Sequence, residues 1–175
     1  MCKELVHFFT HSFHLCYLLL QGQKFVYGCS SYTFHAPFSH KAGYNWQESR
    51  QFCKETGSDL VSIESLEEWD ILRSAIQNMK TAEYFIGLRL TNEHPRKWRW
   101  LSKNTPMNAS RGIHPWAPSQ PSGDGKCAVM YKEYNKFFGR FNDVGCTVIL
   151  RNAGYICERP VTECNNIEGG NSRGR

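Results

Sequence analysis

The sequence predicts a single α+β domain stapled by disulfides. Three observations carry this: two amphipathic helical segments with capping signatures in the first half, short aromatic and branched runs at strand spacing after them, and eight cysteines with no CxxC pair. A chain of 175 residues buries one core and is short for two domains of ordinary size. With 41% hydrophobic and 14% aromatic residues it carries enough apolar area to offset the entropy of ordering, which excludes disorder.

The elements follow in order. Phe25, Val26, Tyr27, Tyr32 and Phe34 make residues 24 to 34 a strand interrupted near Gly28. Asn45 and Glu48 form a capping-box pattern, and Trp46, Ser49, Phe52 and Cys53 share the face of a first helix that stops at Gly57. Leu60 to Ile63 is a short buried extended link. Ser65 and Glu68 repeat the capping pattern, and Leu66, Trp69, Leu72, Ile76 and Met79 give a second helix its apolar stripe. Tyr84 to Leu88 is a strand whose Gly87 permits close backbone approach. Lys97 to Leu101 alternates as a half-buried strand does, and Cys127 to Tyr131, Phe137 to Phe141 and Tyr155 to Glu158 are three further strands. Between them, Ser102 to Lys126 has no periodicity, and long loops of this kind are where binding sites are found.

The charge of +5 is modest, and its cations are scattered. One short group, Arg96, Lys97 and Arg99, alternates with Trp98 and Trp100 and reads as the solvated face of a strand, which argues against nucleic acid as a partner. No Cys/His cluster has zinc-finger spacing, so the cysteines read as disulfides in an oxidising compartment. The sequon at Asn108 sits in a loop-like neighbourhood suited to N-glycan. Residues 1–23 read as a signal-like or non-native N-terminal segment, with an apolar run from Phe13 to Leu20 interrupted by His14. No later stretch is long and apolar enough to span a membrane. Residues 24–160 make the domain, and residues 161–175 read as a flexible tail. His35, His40, His94 and His114 fall in polar stretches and are expected at the surface. No nucleophile elbow, HExxH or phosphate loop is present, so the chain reads as no enzyme.

The segment CKETGSDLVSIES from Cys53 to Ser65, FIGL at Phe85 to Leu88, Trp98 to Trp100, Trp116 ahead of a proline motif, Phe141-Asn142-Asp143 and YICE around Cys157 occur in one order. That series resembles the C-type lectin-like domain family. The resemblance implies the C-type lectin-like fold, two helices packed on small antiparallel sheets with a long irregular loop region. It implies disulfides Cys53 with Cys157 and Cys127 with Cys146. Cys2, Cys16, Cys29 and Cys164 stay unassigned, with Cys29 open to Cys16 or to Cys164.

In sugar-binding members of the family a calcium ion, held by a loop motif, by a WND strand and by an acid near the next cysteine, takes sugar hydroxyls into its shell. The resemblance puts Gln120, Ser122, Asn142, Asp143 and Trp116 in the ligand-binding role, and Gln120, Asp124, Asn142 and Asp143 in the metal role. The pattern departs from the family at two points: Ser122 is a weaker ligand than a carboxamide or carboxylate, and Gly125 with Lys126 stands where an acid is expected. Calcium then depends on Asp124 taking the vacant role. Pro121 would be the family's cis proline. Two functions follow as expectations for an extracellular module, secreted or part of a membrane receptor. One is carbohydrate binding, with calcium where Asp124 substitutes; the other is calcium-independent binding of a protein ligand through the same face.

Overall fold

The computed structural model describes residues 24–37, 43–107 and 115–161. The signal-like segment, Asn108, Cys2, Cys16, Cys164, His40, His114 and the tail beyond Val161 lie outside the described residues.

The described residues open with a hairpin, β1 (Lys24–Tyr27) and β2 (Ser30–His35), turned at Gly28 in the left-handed region. Helix α1 (Trp46–Glu55) begins where the Asn45 side chain accepts the Glu48 amide at 2.9 Å, and it buries Trp46, Ser49 and Cys53. After β3 (Asp59–Leu60) comes α2 (Leu66–Gln77), capped by the Ser65 hydroxyl and burying Leu72 and Ile76. The strands that follow are β4 (Glu83–Leu90), β5 (Trp98–Trp100), β6 (Cys127–Tyr131), β7 (Glu133–Tyr134), β8 (Phe137–Phe138), β9 (Phe141–Val144) and β10 (Ala153–Pro160).

Eight strands join in one network of order β1-β2-β10-β4-β6-β9, with β3 on β10 and β5 on β4. Its pairings are antiparallel except β10 with β4, which is parallel. Strands β7 and β8 form a separate hairpin. The predicted strand over Phe137 to Phe141 is in fact two: Gly139 adopts a positive φ of 68° and turns the chain between β8 and β9.

The core lies on both faces of β4. Tyr84, Ile86 and Leu88 pack with α2, Met130, Phe141 and Ile156, while Phe85 turns to Tyr44, Trp46, Val129 and Tyr155 beside α1. A strand buried on both sides reads as a continuous apolar run, as this one does. The Trp46 indole N–H donates to the Ile86 carbonyl at 2.7 Å, joining α1 to β4, and a Cβ on Gly87 would lie 2.5 Å from the Leu60 carbonyl oxygen, so β4 and the β3 segment meet backbone to backbone.

Two bridges close the frame. Cys53–Cys157 ties α1 to β10 across 104 residues, and Cys127–Cys146 links the start of β6 to the segment after β9. Cys29 is disulfide-bonded as well. His35 differs from the expectation of exposure: its ring stacks on Tyr155 with centroids 4.4 Å apart, and burial lowers its pKa. Strand β2 pairs with β10 along its length, which turns His35 into the sheet's surface layer.

Where α2 meets β2, the carboxyl of Glu68 is buried, accepting from the Tyr32 hydroxyl at 2.7 Å and from the Glu64 amide at 2.9 Å. Burial pushes its pKa up to about 7, and the neighbouring carboxylates Glu158 and Glu64 push the same way against those two bonds. A carboxyl whose folded pKa is raised binds its proton more tightly in the native state, so stability is fully present below the ordinary carboxylate pKa and is lost as pH rises toward 7. Raising pH from 5 to 8 should lower the melting temperature through this group, and Glu68→Gln should flatten that slope; an equal slope in both proteins would remove Glu68 from the account.

Candidate functional site

Strand β9 alternates. Phe141 and Asp143 are buried on one face, and Asn142 and Val144 are half-buried on the other. Phe141 anchors the strand: its ring meets Trp100 and Trp116 edge to face, and its backbone bonds to Pro115 and Ala117. The loop over residues 118–126 is therefore fixed at one end by β9 and at the other by Cys127.

The Asp143 carboxylate, 2% exposed, sits under that loop and is filled by it. Oδ1 accepts from the Ser122 amide at 2.7 Å and faces the Ser122 hydroxyl at 3.1 Å. Oδ2 accepts from the amides of Gly123 at 2.9 Å and Gly125 at 3.1 Å. Burial alone would raise the pKa, but the bonds from Ser122, Gly125 and Gly123 outweigh it and hold the carboxyl below its ordinary value. The remaining loop polarity is spent internally too: the Gln120 side chain accepts from the Ser122 amide at 2.9 Å, and the Ser122 hydroxyl lies 2.8 Å from Asp124. The Gln120–Pro121 peptide bond is cis.

The structure thus brings Gln120, Ser122, Asp124 and Asp143 together. Two other residues go elsewhere. Asn142 donates its amide N–H to the Tyr131 hydroxyl at 2.9 Å, and its Oδ1 is buried without a bond. Trp116 packs on Trp98 at 4.8 Å and against the core, where its ring fills space beside Phe141. Two participants were invisible from residue types, since Gly123 and Gly125 act through backbone amides alone. Tyr131 also stacks on Tyr134, with centroids 5.2 Å apart, next to Asn142.

The arrangement decides whether calcium fits. A carboxylate offers about four lone-pair positions, and those of Asp143 already face four donors from the loop. The position where the family places an acid is Gly125, and a Cβ there would lie 2.2 Å from the Val144 backbone nitrogen. No acid can stand there while the loop lies against β9. Among the described residues no group of three or more His, Cys, Asp or Glu side chains is placed to hold a metal ion. The donor set does not fit a calcium ion in this arrangement, because the loop's own amides occupy the oxygens a cation would need.

The family profile described as "Lectin C-type domain" matches residues 42–159. The chain belongs to the C-type lectin domain family. Rat (Rattus norvegicus) P-selectin is 31% identical over 137 residues, covering 77% of this chain and 17% of that protein. Rat C-type lectin domain family 4 member A is 34% identical over 119 residues, covering 68% of this chain and 45% of that protein. The chain therefore spans less than half the length of these two relatives. Among solved structures, the Ca2+-independent C-type lectin SPL-2 from Saxidomus purpuratus is 25% identical with a TM-score of 0.64, covering 78% of this chain and 90% of that one. A structure described as an SPL-1–GlcNAc complex is 27% identical with a TM-score of 0.62, covering 78% of this chain and 91% of that one. These C-type lectin neighbours share the α+β fold, two helices on antiparallel strands with a long irregular loop. No helix among the described residues is long and apolar enough to cross a membrane.

Asp143→Ala leaves the Gly123 and Gly125 amides without their acceptor and the Ser122 amide with Gln120 alone, so it should cost about 2–4 kcal/mol, as loss of a buried multi-bonded carboxylate does. Because the folded pKa is depressed, that contribution is complete at neutral pH and is lost as pH falls below the ordinary carboxylate value. Urea titration at pH 7 and at pH 3 should show the difference between native and variant proteins shrinking in acid; a constant difference would refute the lock.

Proposed function

We propose that this domain is a carbohydrate-recognition module of the C-type lectin family that works without calcium. The observation that carries the reading is the Asp143 carboxylate bonded to the loop amides, which orders the loop by internal hydrogen bonds in place of an ion. With the loop held, the exposed side chains of Ser122 and Asp124 and the half-buried Gln120 form a polar rim able to bond sugar hydroxyls directly. Asn142, on the other face of β9, supports the neighbouring Tyr131–Tyr134 stack through its bond to the Tyr131 hydroxyl. Trp116 supports this rim from the core side. The relatives support the reading in two ways: one similar structure is described as calcium-independent, and another as a complex with GlcNAc. The disulfides suit an oxidising, extracellular setting, in a secreted protein or the outer part of a membrane receptor.

A second reading, binding of a protein ligand, draws on Val148 and Ile149, which are about half exposed just after Cys146. Apolar side chains so placed add contact area of the kind a protein partner covers.

A glycan array probed once with calcium and once with chelator separates these. Retained glycans should be the same in both arms, and Gln120→Ala with Ser122→Ala should abolish them. Loss of binding in chelator would overturn the ion-free mechanism, and no retained glycan in either arm would favour the protein ligand.

A further inference from the structure

We propose that Asp124–Gly125 is a site of spontaneous isoaspartate formation, held in check by the bonds that Asp143 makes to the loop. The proposal concerns main-chain chemistry and does not rest on what the loop binds.

An Asp carboxyl cyclises most readily when glycine follows it, because no Cβ then crowds the attacking main-chain nitrogen. The chain holds one Asp–Gly step and no Asn–Gly step, and it lies in the recognition loop with Asp124 exposed. The fold demands that glycine: a Cβ on residue 125 would lie 2.2 Å from the Val144 backbone nitrogen. Packing against β9 therefore sets a labile pair in the loop, and the same packing supplies its restraint.

Cyclisation joins the Gly125 nitrogen to Cγ of Asp124. The carboxylic acid gives up its hydroxyl, the nitrogen gives up its proton, and the two leave as one water. Water then reopens the succinimide at either carbonyl, and reopening at the former main-chain carbonyl routes the chain through the side-chain carbon with no net change in atoms.

Three features oppose the first step. The Gly125 N–H is donated to Asp143 Oδ2 at 3.1 Å, which turns the nitrogen toward β9, and the negative charge beside it disfavours loss of the amide proton. The Ser122 hydroxyl donates to the Asp124 carboxylate at 2.8 Å and draws it back along the loop. The main chain is pinned on both sides, by the Gly123 amide on Asp143 and by the Lys126 amide on the Val144 carbonyl at 3.2 Å. Attack requires the Asp124 carboxyl carbon to swing onto the Gly125 nitrogen, and these bonds resist that rotation. Conversion would in turn undo the restraint. Isoaspartate adds one carbon to the main chain ahead of Gly125, where contact with Val144 leaves no room for added length.

The test is peptide mapping of the intact protein after incubation in weakly acidic buffer at body temperature, with isoaspartate read by enzymatic methyl transfer. Trypsin releases residues 112–126, in which Asp124 is the only Asp or Asn, so any signal there belongs to it. The same chain, reduced and unfolded in guanidinium, should convert at least about tenfold faster than the native protein, because only the opened loop reacts. Asp143→Asn, confirmed as folded by its melting transition, should convert severalfold faster than native. Where that variant does not fold, Ser122→Ala, at an exposed position, decides in its place and should also convert faster. A native rate equal to that of the unfolded chain, no isoaspartate at Asp124 in the unfolded chain, or a native-like rate in the folded variant would overturn the proposal.

Discussion

The loop that carries the polar rim has almost no apolar side chains, so it cannot be ordered by burying its own core. What orders it is the buried carboxylate of Asp143, which has left water and must be repaid in hydrogen bonds. The donors are the amides of Ser122, Gly123 and Gly125. Each side needs the other, because the glycine amides are given to the carboxylate and the carboxylate takes its donors from this loop. Gly123 supplies a positive φ of 89°, and Gly125 lets the chain lie directly on Val144, so no bulkier residue keeps the bonds short. The loop's conformation is thus a property of β9, and β9 is held by β6 at the heart of the sheet.

The frame behind that strand has to be stiff for the bonds to keep their lengths. Cys127–Cys146 pins the two ends of the segment that carries β6 and β9, and Lys126 bonds by its amide to Val144 and by its carbonyl to Leu90. Cys53–Cys157 acts at longer range, where chain-entropy estimates for a loop of this size reach about 4–5 kcal/mol. Burial of β4 on both faces supplies the rest, since two side-chain layers then share one backbone. Close packing at Gly87 leaves that strand no room to slide.

Much of this was legible in the residues because it is local. Asn45 with Glu48 and Ser65 with Glu68 announce helix starts, since capping depends on three-residue spacing, and both caps form. The order of the strands was legible for the same reason, up to ends where pairing rather than propensity decides, as in β4 and β10. Other features depend on contacts distant in sequence. His35 reads as polar until β10 brings Tyr155 against it. Phe137 to Phe141 reads as one apolar run until Gly139 turns it. Arg73 and Arg140 look scattered until Gly139 lets the hairpin close on α2. Asp143 is the sharpest case, because a carboxylate committed to backbone amides and one awaiting a cation carry the same letter.

An internal lock also changes what the site can do. A calcium ion binds sugar hydroxyls through strong charge-dipole contacts, whereas neutral side chains such as Gln120 and Ser122 gain only about 1 kcal/mol net per hydrogen bond. On the proposed reading, a rim of this kind would hold one sugar weakly and would need further contacts to select a ligand. Those contacts can come from repeated engagement, where linking weak sites multiplies avidity without new chemistry. Recognition without the ion, as proposed, would be free of calcium concentration, and the burden of affinity would pass from one coordination sphere to the wider surface.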